Sequence, residues 1–335
     1  MIWLYCLLIF SLSCTLTWAL RRYALATNML DVPNHRSSHL IATPRGGGLS
    51  FVICFLLTVI SLFYCNLISC PLAAALLIPG SLIAAVGFLD DRYSIPAKWR
   101  LLSHFAASGC ALYLLGGMPE IPFFAWTLSN KLLTNTLAIF YLVWLLNLYN
   151  FMDGIDGIAA TEAVFVCLGG VGLYYLESNL NAIYLPIGLA FAVAGFLFWN
   201  FPPARIFMGD AGSGFLGLIL GILSIQSTKL NQNFFWAWMI LLGVFIVDAT
   251  VTLLGRVMRG EIIFEAHRSH AYQHASRYYG NHLLVTLGTL VINILWLLPI
   301  AIAVGLDFID GGLGLLIAYL PLIFLALKFK AGQKE

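Results

Sequence analysis

The chain has 335 residues, enough for two soluble domains, but 61% of them are hydrophobic and only 10% are charged, against roughly 25% charged in soluble globular proteins. That balance excludes a soluble enzyme. The lipid bilayer is the expected environment and no nucleic-acid partner is expected; the net charge of +2 adds nothing about partners.

Apolar runs of about 17–22 residues recur along the chain, each long enough to cross a hydrocarbon core as a helix. Helices are the default, because a lipid-exposed open strand would leave backbone groups unpaired. Eleven spans are predicted, at about 2–20, 48–65, 71–89, 101–117, 131–149, 158–176, 182–199, 213–228, 234–254, 282–304 and 311–328. The first has no basic segment before it and is followed by Arg21 and Arg22, which reads as a first span rather than a cleaved leader. With the N-terminus extracytoplasmic, all but Lys131 and Lys229 of the seventeen Lys and Arg residues fall on the cytosolic side. Basic residues favour that side during insertion, so the asymmetry sets the expected orientation, with the C-terminus also cytosolic. No low-complexity tract or long loop interrupts the spans, so residues 1–335 are expected to form one integral-membrane domain.

Five cytosolic segments collect the polar residues. The first runs from Leu30 to Gly48 and holds Arg36, His39, Arg45 and a Gly46-Gly47-Gly48 run. It lacks the G-x-x-x-x-G-K-[ST] register of a P-loop, and its basic residues suit an anionic ligand. In the second, Asp90 and Asp91 close span three, with Lys98 and Arg100 opening span four. Two adjacent carboxylates at a membrane boundary repel each other and need a cation, a metal or water, and a helix C-terminus disfavours them further. The third presents Asn147, Asn150, Asp153 and Asp156 at a spacing of three, along one drifting helical face that can offer hard oxygen ligands, with Gly154 and Gly157 after the aspartates. The EF-hand register is absent.

The fourth segment follows span seven through Asn200, Pro202, Pro203, Arg205 and Gly209 to Asp210 and Ser213. Asp210 stands at a helix start, where a carboxylate is favoured even without function. The fifth, from Arg256 to Gly280, carries His267, Arg268, His270, His274 and Arg277. With no H-E-x-x-H and no nearby cysteine it suits phosphate better than zinc. Asp248 is an acid inside span nine and hence a functional candidate. The seven cysteines lie in or beside apolar spans and read as small hydrophobes, although Cys65 and Cys70 flank a turn they could bridge.

Taken in order, Asp90-Asp91 with Ala97-Lys98, the N-x-x-N-x-x-D-G-x-D-G run at 147–157, and N-F-P-P-A-R-I-F-M-G-D-A-G-S at 200–213 resemble the polyprenyl-phosphate N-acetylhexosamine-1-phosphate transferase family. The likeness extends from Asp31 to about Arg277. It implies an all-α polytopic membrane protein with a cytosolic active-site cleft, which moves a phosphosugar from a UDP-N-acetylhexosamine to undecaprenyl phosphate and releases UMP. Matched motif by motif, it implies Asn150 and Asp210 as ligands of Mg²⁺, with Mn²⁺ as the alternative metal. Asp90 and Asp91 would bind or activate the lipid phosphate, and Asp153 and Asp156 would form the catalytic and uridine-binding turn. Lys98, Asn147, Gly154, Arg205, His267, Arg268 and His270, with His39 and Arg45, would contact substrate. A homodimer in the bacterial inner membrane would fit the family. Where many bacterial members carry H-x-H-H, this chain reads His270-Ala271-Tyr272-Gln273, as in members that initiate O-antigen or other surface polysaccharides.

Phosphoryl transfer asks for in-line positioning and charge neutralisation, which these residue types can supply. A transporter would instead place its polar groups near mid-bilayer within repeats. A CDP-alcohol phosphatidyltransferase would place Ala-Arg after the first Asp-Gly, where this chain has Ile155-Asp156.

Overall fold

The computed structural model describes residues 2–33, 41–124, 126–261 and 267–333. His39 and Arg36 lie outside the described residues. Helices dominate: α1 (Ile2–Ala26), α2 (Leu49–Tyr64), α3 (Cys70–Tyr93), α4 (Ala97–Leu115), α5 (Lys131–Met152), α6 (Ile158–Leu176), α7 (Tyr184–Asn200) and α8 (Asp210–Ser227). They are followed by α9 (Phe234–Leu241), α10 (Gly243–Met258), α11 (Ala271–Tyr279), α12 (His282–Ile292), α13 (Leu298–Gly305) and α14 (Gly311–Lys328). Two short antiparallel hairpins complete it, β1 (Leu30–Asp31) with β2 (Thr43–Pro44), and β3 (Ile121–Phe123) with β4 (Trp126–Leu128).

Every predicted span coincides with helix, and the protein is an all-α polytopic membrane protein. Among the described residues, eight helical stretches are long and apolar enough to cross a membrane singly, and α9 with α10 would form a ninth. α2 has only 16 residues, and the first turn of α4 carries Lys98 and Arg100. By length and composition the described helices therefore give eight or nine crossings, and the predicted count of eleven is not confirmed.

Two predicted spans depart from a regular single helix. α9 and α10, expected as one helix, meet at an angle of 69°, the chain turning between Leu242 and Gly243. The stretch 282–304 stays continuous but widens into a π-helical segment over Asn293–Leu297. Pro299, at the start of α13, has no N–H for the carbonyl four residues back, and its ring crowds that carbonyl, which accounts for the widened turn.

Between helices in lipid there is little hydrophobic driving force, so close packing and polar pairs carry the association. α8 is the axis of the bundle, buried along nearly its whole length, while α1 is buried on one side only. Small residues bring α8 close to its neighbours. A Cβ on Gly87 of α3 would lie 2.5 Å from the backbone carbon and oxygen of Asp210, and one on Gly48 would lie 2.6 Å from Gly212 Cα. Polar pairs cross the other interfaces, two of them buried and the third partly so: Thr17 Oγ1 donates to Ser50 Oγ at 2.7 Å, Ser13 Oγ to the Ala192 carbonyl at 2.6 Å, and Trp144 Nε1 to Thr250 Oγ1 at 3.2 Å. All seven cysteines are free, including the exposed Cys65 and Cys70, so the structure holds no bridge at that turn.

The crossing of α3 over the start of α8 predicts a steric test. Gly87→Val should destabilise the protein by about 1–3 kcal/mol through overpacking and lower turnover as well. Gly109→Ala, whose added Cβ meets nothing within 4 Å, should leave Tm in detergent unchanged or raised. Equal Tm values for the two variants would show that the crossing is not tight.

Candidate active site

The two acids that close α3 have different surroundings. Asp91 has no exposed side-chain surface, and its Oδ1 meets Arg45 Nε at 2.8 Å. Its carboxylate accepts the backbone N–H of Asp210 at 3.0 Å and of Ala211 at 3.4 Å. Asp91 thus caps α8 from another helix, satisfying donors that α8's own N-cap, Gly209, leaves open. Gly209 sits at φ +78°, and a Cβ there would lie 2.5 Å from Asp91 Oδ2, so glycine is required on both counts.

Asp90 turns the other way. Its Oδ1 accepts Ile95 N–H at 2.6 Å, and its Oδ2 accepts Arg100 Nη1 at 2.5 Å. Arg100 also reaches Asp210 Oδ2 at 3.3 Å, while Arg45 Nη2 holds Asp210 Oδ1 at 2.6 Å. Burial opposes the charge on Arg45, but Asp210 and Asp91 more than offset it and raise the guanidinium above its usual value. The Asn150 amide lies against Asp210 and donates to Ser213 Oγ at 3.1 Å. One turn earlier, the Asn147 amide meets His104 Nδ1 at 3.3 Å and donates to the Val143 carbonyl at 2.6 Å.

The D-G-x-D-G turn joins this cluster to the next loop. Asp153 ends α5. It keeps some surface contact but is densely surrounded by protein, and that desolvation raises its carboxyl well above the usual range, with Arg45 opposing and Asp210, Asp91 and Asp156 reinforcing. Asp156 Oδ2 accepts Ala204 N–H at 3.0 Å, its Oδ1 lies 3.2 Å from His282 Nδ1, and its carbonyl accepts Thr286 Oγ1 at 2.9 Å. Asn200 then bridges the two motifs, accepting Gly157 N–H at 3.1 Å and donating to the Ile206 carbonyl at 3.0 Å. Gly154 leaves room for Tyr272, whose hydroxyl donates to the Phe151 carbonyl at 2.8 Å; a Cβ on Gly154 would collide with that hydroxyl.

Asp248 organises the histidine segment. It accepts the first N–H groups of α11, Ala271 and Tyr272, both at 2.9 Å, and lies 3.3 Å from His270 Nδ1. His270 is buried and faces Asp248. His267 stacks on His270 with ring centroids 5.1 Å apart. Burial, then His270 and Arg256, lower the His267 imidazole to about 3, so it is neutral near pH 7 and brings no positive charge to a phosphate. Arg268 and Arg277, with Asp156, Phe207 and His282, line a cavity of about 690 Å³.

The structure therefore brings together Arg45, Asp90, Asp91, Asn150 and Asp210, with Asn147 and Asp153 beside them. It does not bring Lys98 or Arg205 to this cluster. Both are exposed, their charged groups 5.7 Å from the rings of Trp99 and Trp199 respectively. Arg100, Asn200 and Ser213 were named from the sequence only as members of polar segments and not as site residues, and His104 and His282 were not named. Arg100 had a signal: a basic residue in the first turn after the loop that follows an adjacent acid pair.

A family model described as glycosyl transferase family 4 matches residues 73–228, the stretch from α3 to α8 that carries these motifs. Over 92% of its length the chain is 28% identical to a Bacillus subtilis (strain 168) protein named "Probable undecaprenyl-phosphate N-acetylglucosaminyl 1-phosphate transferase", covering 86% of that relative. It is 30% identical over 71% of its length to the decaprenyl-phosphate N-acetylglucosaminephosphotransferase of Mycolicibacterium smegmatis (strain ATCC 700084 / mc(2)155), covering 66% of it. A phospho-N-acetylmuramoyl-pentapeptide-transferase of Streptococcus mutans serotype c (strain ATCC 700610 / UA159) is 28% identical over 67% of the chain and 68% of the relative. The members of this family are phosphotransferases, and the acid pair, the Asn–Asp turn and Asp210 at the start of α8 all lie within the matched stretch. The chain belongs to glycosyl transferase family 4.

The raised Asp153 carboxyl predicts a pH-dependent trade-off. An unfolded aspartate loses its proton near pH 4, whereas Asp153 keeps its proton to higher pH in the folded protein. Folding therefore becomes less favourable as pH rises from about 4 through the folded value. Asp153→Asn removes that dependence. Without added metal, the variant should have a higher Tm than wild type at pH 8, the gap narrowing toward pH 4, while turnover falls. A gap independent of pH would rule out this titration.

Proposed function

We propose that the chain transfers an N-acetylhexosamine 1-phosphate from a UDP-sugar to undecaprenyl phosphate, releasing UMP and priming a surface polysaccharide such as O-antigen. Transfer of a sugar 1-phosphate to a polyprenyl phosphate is the activity of its family. The observation that carries the reading is the convergence of Asp90, Asp91, Asp210 and Asn150 with Arg45 and Arg100 at one end of a membrane bundle. The retained His270, followed by Ala-Tyr-Gln, supports the surface-polysaccharide branch.

The donor set fits Mg²⁺. Asp90, Asp91 and Asp210 face two guanidinium groups, Arg45 and Arg100, so the cluster keeps an excess of negative charge. Its other donor is an amide, and Mg²⁺ prefers a few such hard oxygens while keeping waters and substrate oxygens. Asp210 and Asn150 would hold it, and when bound it would neutralise charge developing on the departing UMP. The chain's own residues then do the positioning. Arg100, anchored between Asp90 and Asp210, is placed to take a phosphate oxygen with a planar fork. Asp90 orients the lipid phosphate. A phosphate is already largely ionised near neutral pH, its second pKa being roughly 6, so attack on the β-phosphorus of the UDP-sugar needs little base assistance. The cavity bordered by Asp156, Phe207, Arg268 and Arg277 suits the nucleotide. The charge asymmetry of the loops supports a site and C-terminus facing the cytosol from the bacterial inner membrane, with the N-terminus outside.

The test is UMP release from UDP-N-acetylhexosamines by purified protein with undecaprenyl phosphate. Turnover should require Mg²⁺, and Asp210→Asn should lower kcat by about 10²–10³-fold while the protein stays folded. No turnover with any UDP-N-acetylhexosamine would sink the substrate assignment, and full activity after chelation would sink the metal.

A further inference from the structure

Glu162 on α6 is an acid in the apolar bundle, 2% exposed. Its Oε2 accepts the amide of Asn293 at 2.5 Å, and Asn293 is itself 1% exposed and opens the π-helical segment. Among the described residues, Glu162 Oε1 and Asn293 Oδ1 have no hydrogen-bond partner, so each side chain is tied only through the Asn293 Nδ2–Glu162 Oε2 bond. Each therefore depends on this single bond in a region where an unsatisfied polar group costs about 1–3 kcal/mol.

The pair does not stand alone on its helix. His282, Thr286 and Asn293 are separated by four and then seven residues, which places all three on one face. That face runs along α6 and the turn before it: His282 lies against the Asp156 carboxylate, Thr286 donates to the Asp156 carbonyl, and Asn293 donates to Glu162. A slip of α12 by one turn, about 5.4 Å, would separate Glu162 from Asn293 inside the membrane region and carry both upper contacts off Asp156. An apolar interface would allow that slip. A lone buried polar pair forbids it, the best-attested use of such pairs being to fix register.

We infer that Glu162 and Asn293 are positioning residues that lock α12 in register, so that His282 and Thr286 hold Asp156 in place for the nucleotide. This rests on the assignment of the cavity beside Asp156 to the UDP-sugar. The pair needs an acceptor oxygen opposite the amide, which glutamine retains and leucine lacks.

UDP, common to every candidate donor, is the probe, with affinity read by calorimetry on full-length protein in detergent and Tm read alongside. Glu162→Gln should bind UDP as wild type does. The double variant Glu162→Leu/Asn293→Leu, which packs without buried polar atoms, should keep or raise its Tm yet bind UDP about three- to tenfold more weakly. Thr286→Val, which keeps its shape and loses only the hydroxyl, should weaken UDP in the same way and serves should the double variant not fold. Asp156→Asn should weaken UDP by itself, and in that background the double leucine change should add nothing. A stable double variant or Thr286→Val with wild-type UDP affinity, or a Gln variant as weak as the leucines, overturns the register lock while leaving the site at Asp156 intact. Unchanged UDP affinity in Asp156→Asn overturns the nucleotide assignment and the inference with it.

Discussion

The contact on which the site depends is the Asp91 carboxylate against the first turn of α8. A helix that starts inside protein leaves N–H groups that water cannot reach, and α8 is the most buried helix of the bundle. Asp91 accepts two of those groups, and its charge also faces the positive end of the helix dipole, worth up to about 2 kcal/mol in a partly buried geometry. The same carboxylate binds Arg45, which in turn holds Asp210. Loss of Arg45 would leave the Asp91 carboxylate, which has no exposed side-chain surface, without its cation. One side chain thus fixes where α8 begins, where Arg45 points, and where the Asp210 carboxylate is presented.

The two adjacent acids consequently have separate partners. Asp91, with no exposed side-chain surface, has its carboxylate engaged by Arg45 and by the first N–H groups of α8. Asp90 and Asp210 both meet Arg100 and keep the more exposed carboxylates, 7% and 18% of side-chain surface. Asp248 repeats the device at α11, accepting its first two N–H groups from another helix, and Asp156 accepts the N–H of Ala204 across 48 residues of sequence. In each case a carboxylate that looks like a ligand when read along the chain is satisfied by backbone brought from elsewhere.

That is also the boundary of what could be read from the residues in order. The five polar segments were legible because apolar spans leave nowhere else for Asp, Asn and Arg to go, and the helices were legible because lipid admits little else. Caps supplied from another helix were not legible: Gly209 and His270 precede α8 and α11 as weak local caps, and nothing nearby names Asp91 or Asp248 as the partner. The bend between α9 and α10 was hidden by an unbroken apolar run from Phe234 to Val247, in which only Gly243 interrupts the side chains. Arg100 was counted as a boundary charge because its partners lie 10 and 110 residues away. Lys98 and Arg205 were drawn in by motif, yet each stands exposed beside a tryptophan at the bundle's edge.

An excess of carboxylates is at first sight the wrong charge for two anionic substrates. In a low-dielectric setting a phosphate approaching Asp90, Asp91 and Asp210 would be repelled, and charges there interact several times more strongly than in water. Two arginines among the three acids moderate this without removing it. They also keep the acids apart and oriented, since each guanidinium reaches two different carboxylates. On the proposed reading, a phosphate and a divalent cation would be held best together: Arg45 and Arg100 would bind the phosphate, and Asp90, Asp91 and Asp210 would supply the oxygens for the cation. Metal and nucleotide binding would then depend on each other, and reciprocally, because each ligand would remove the repulsion that the other meets.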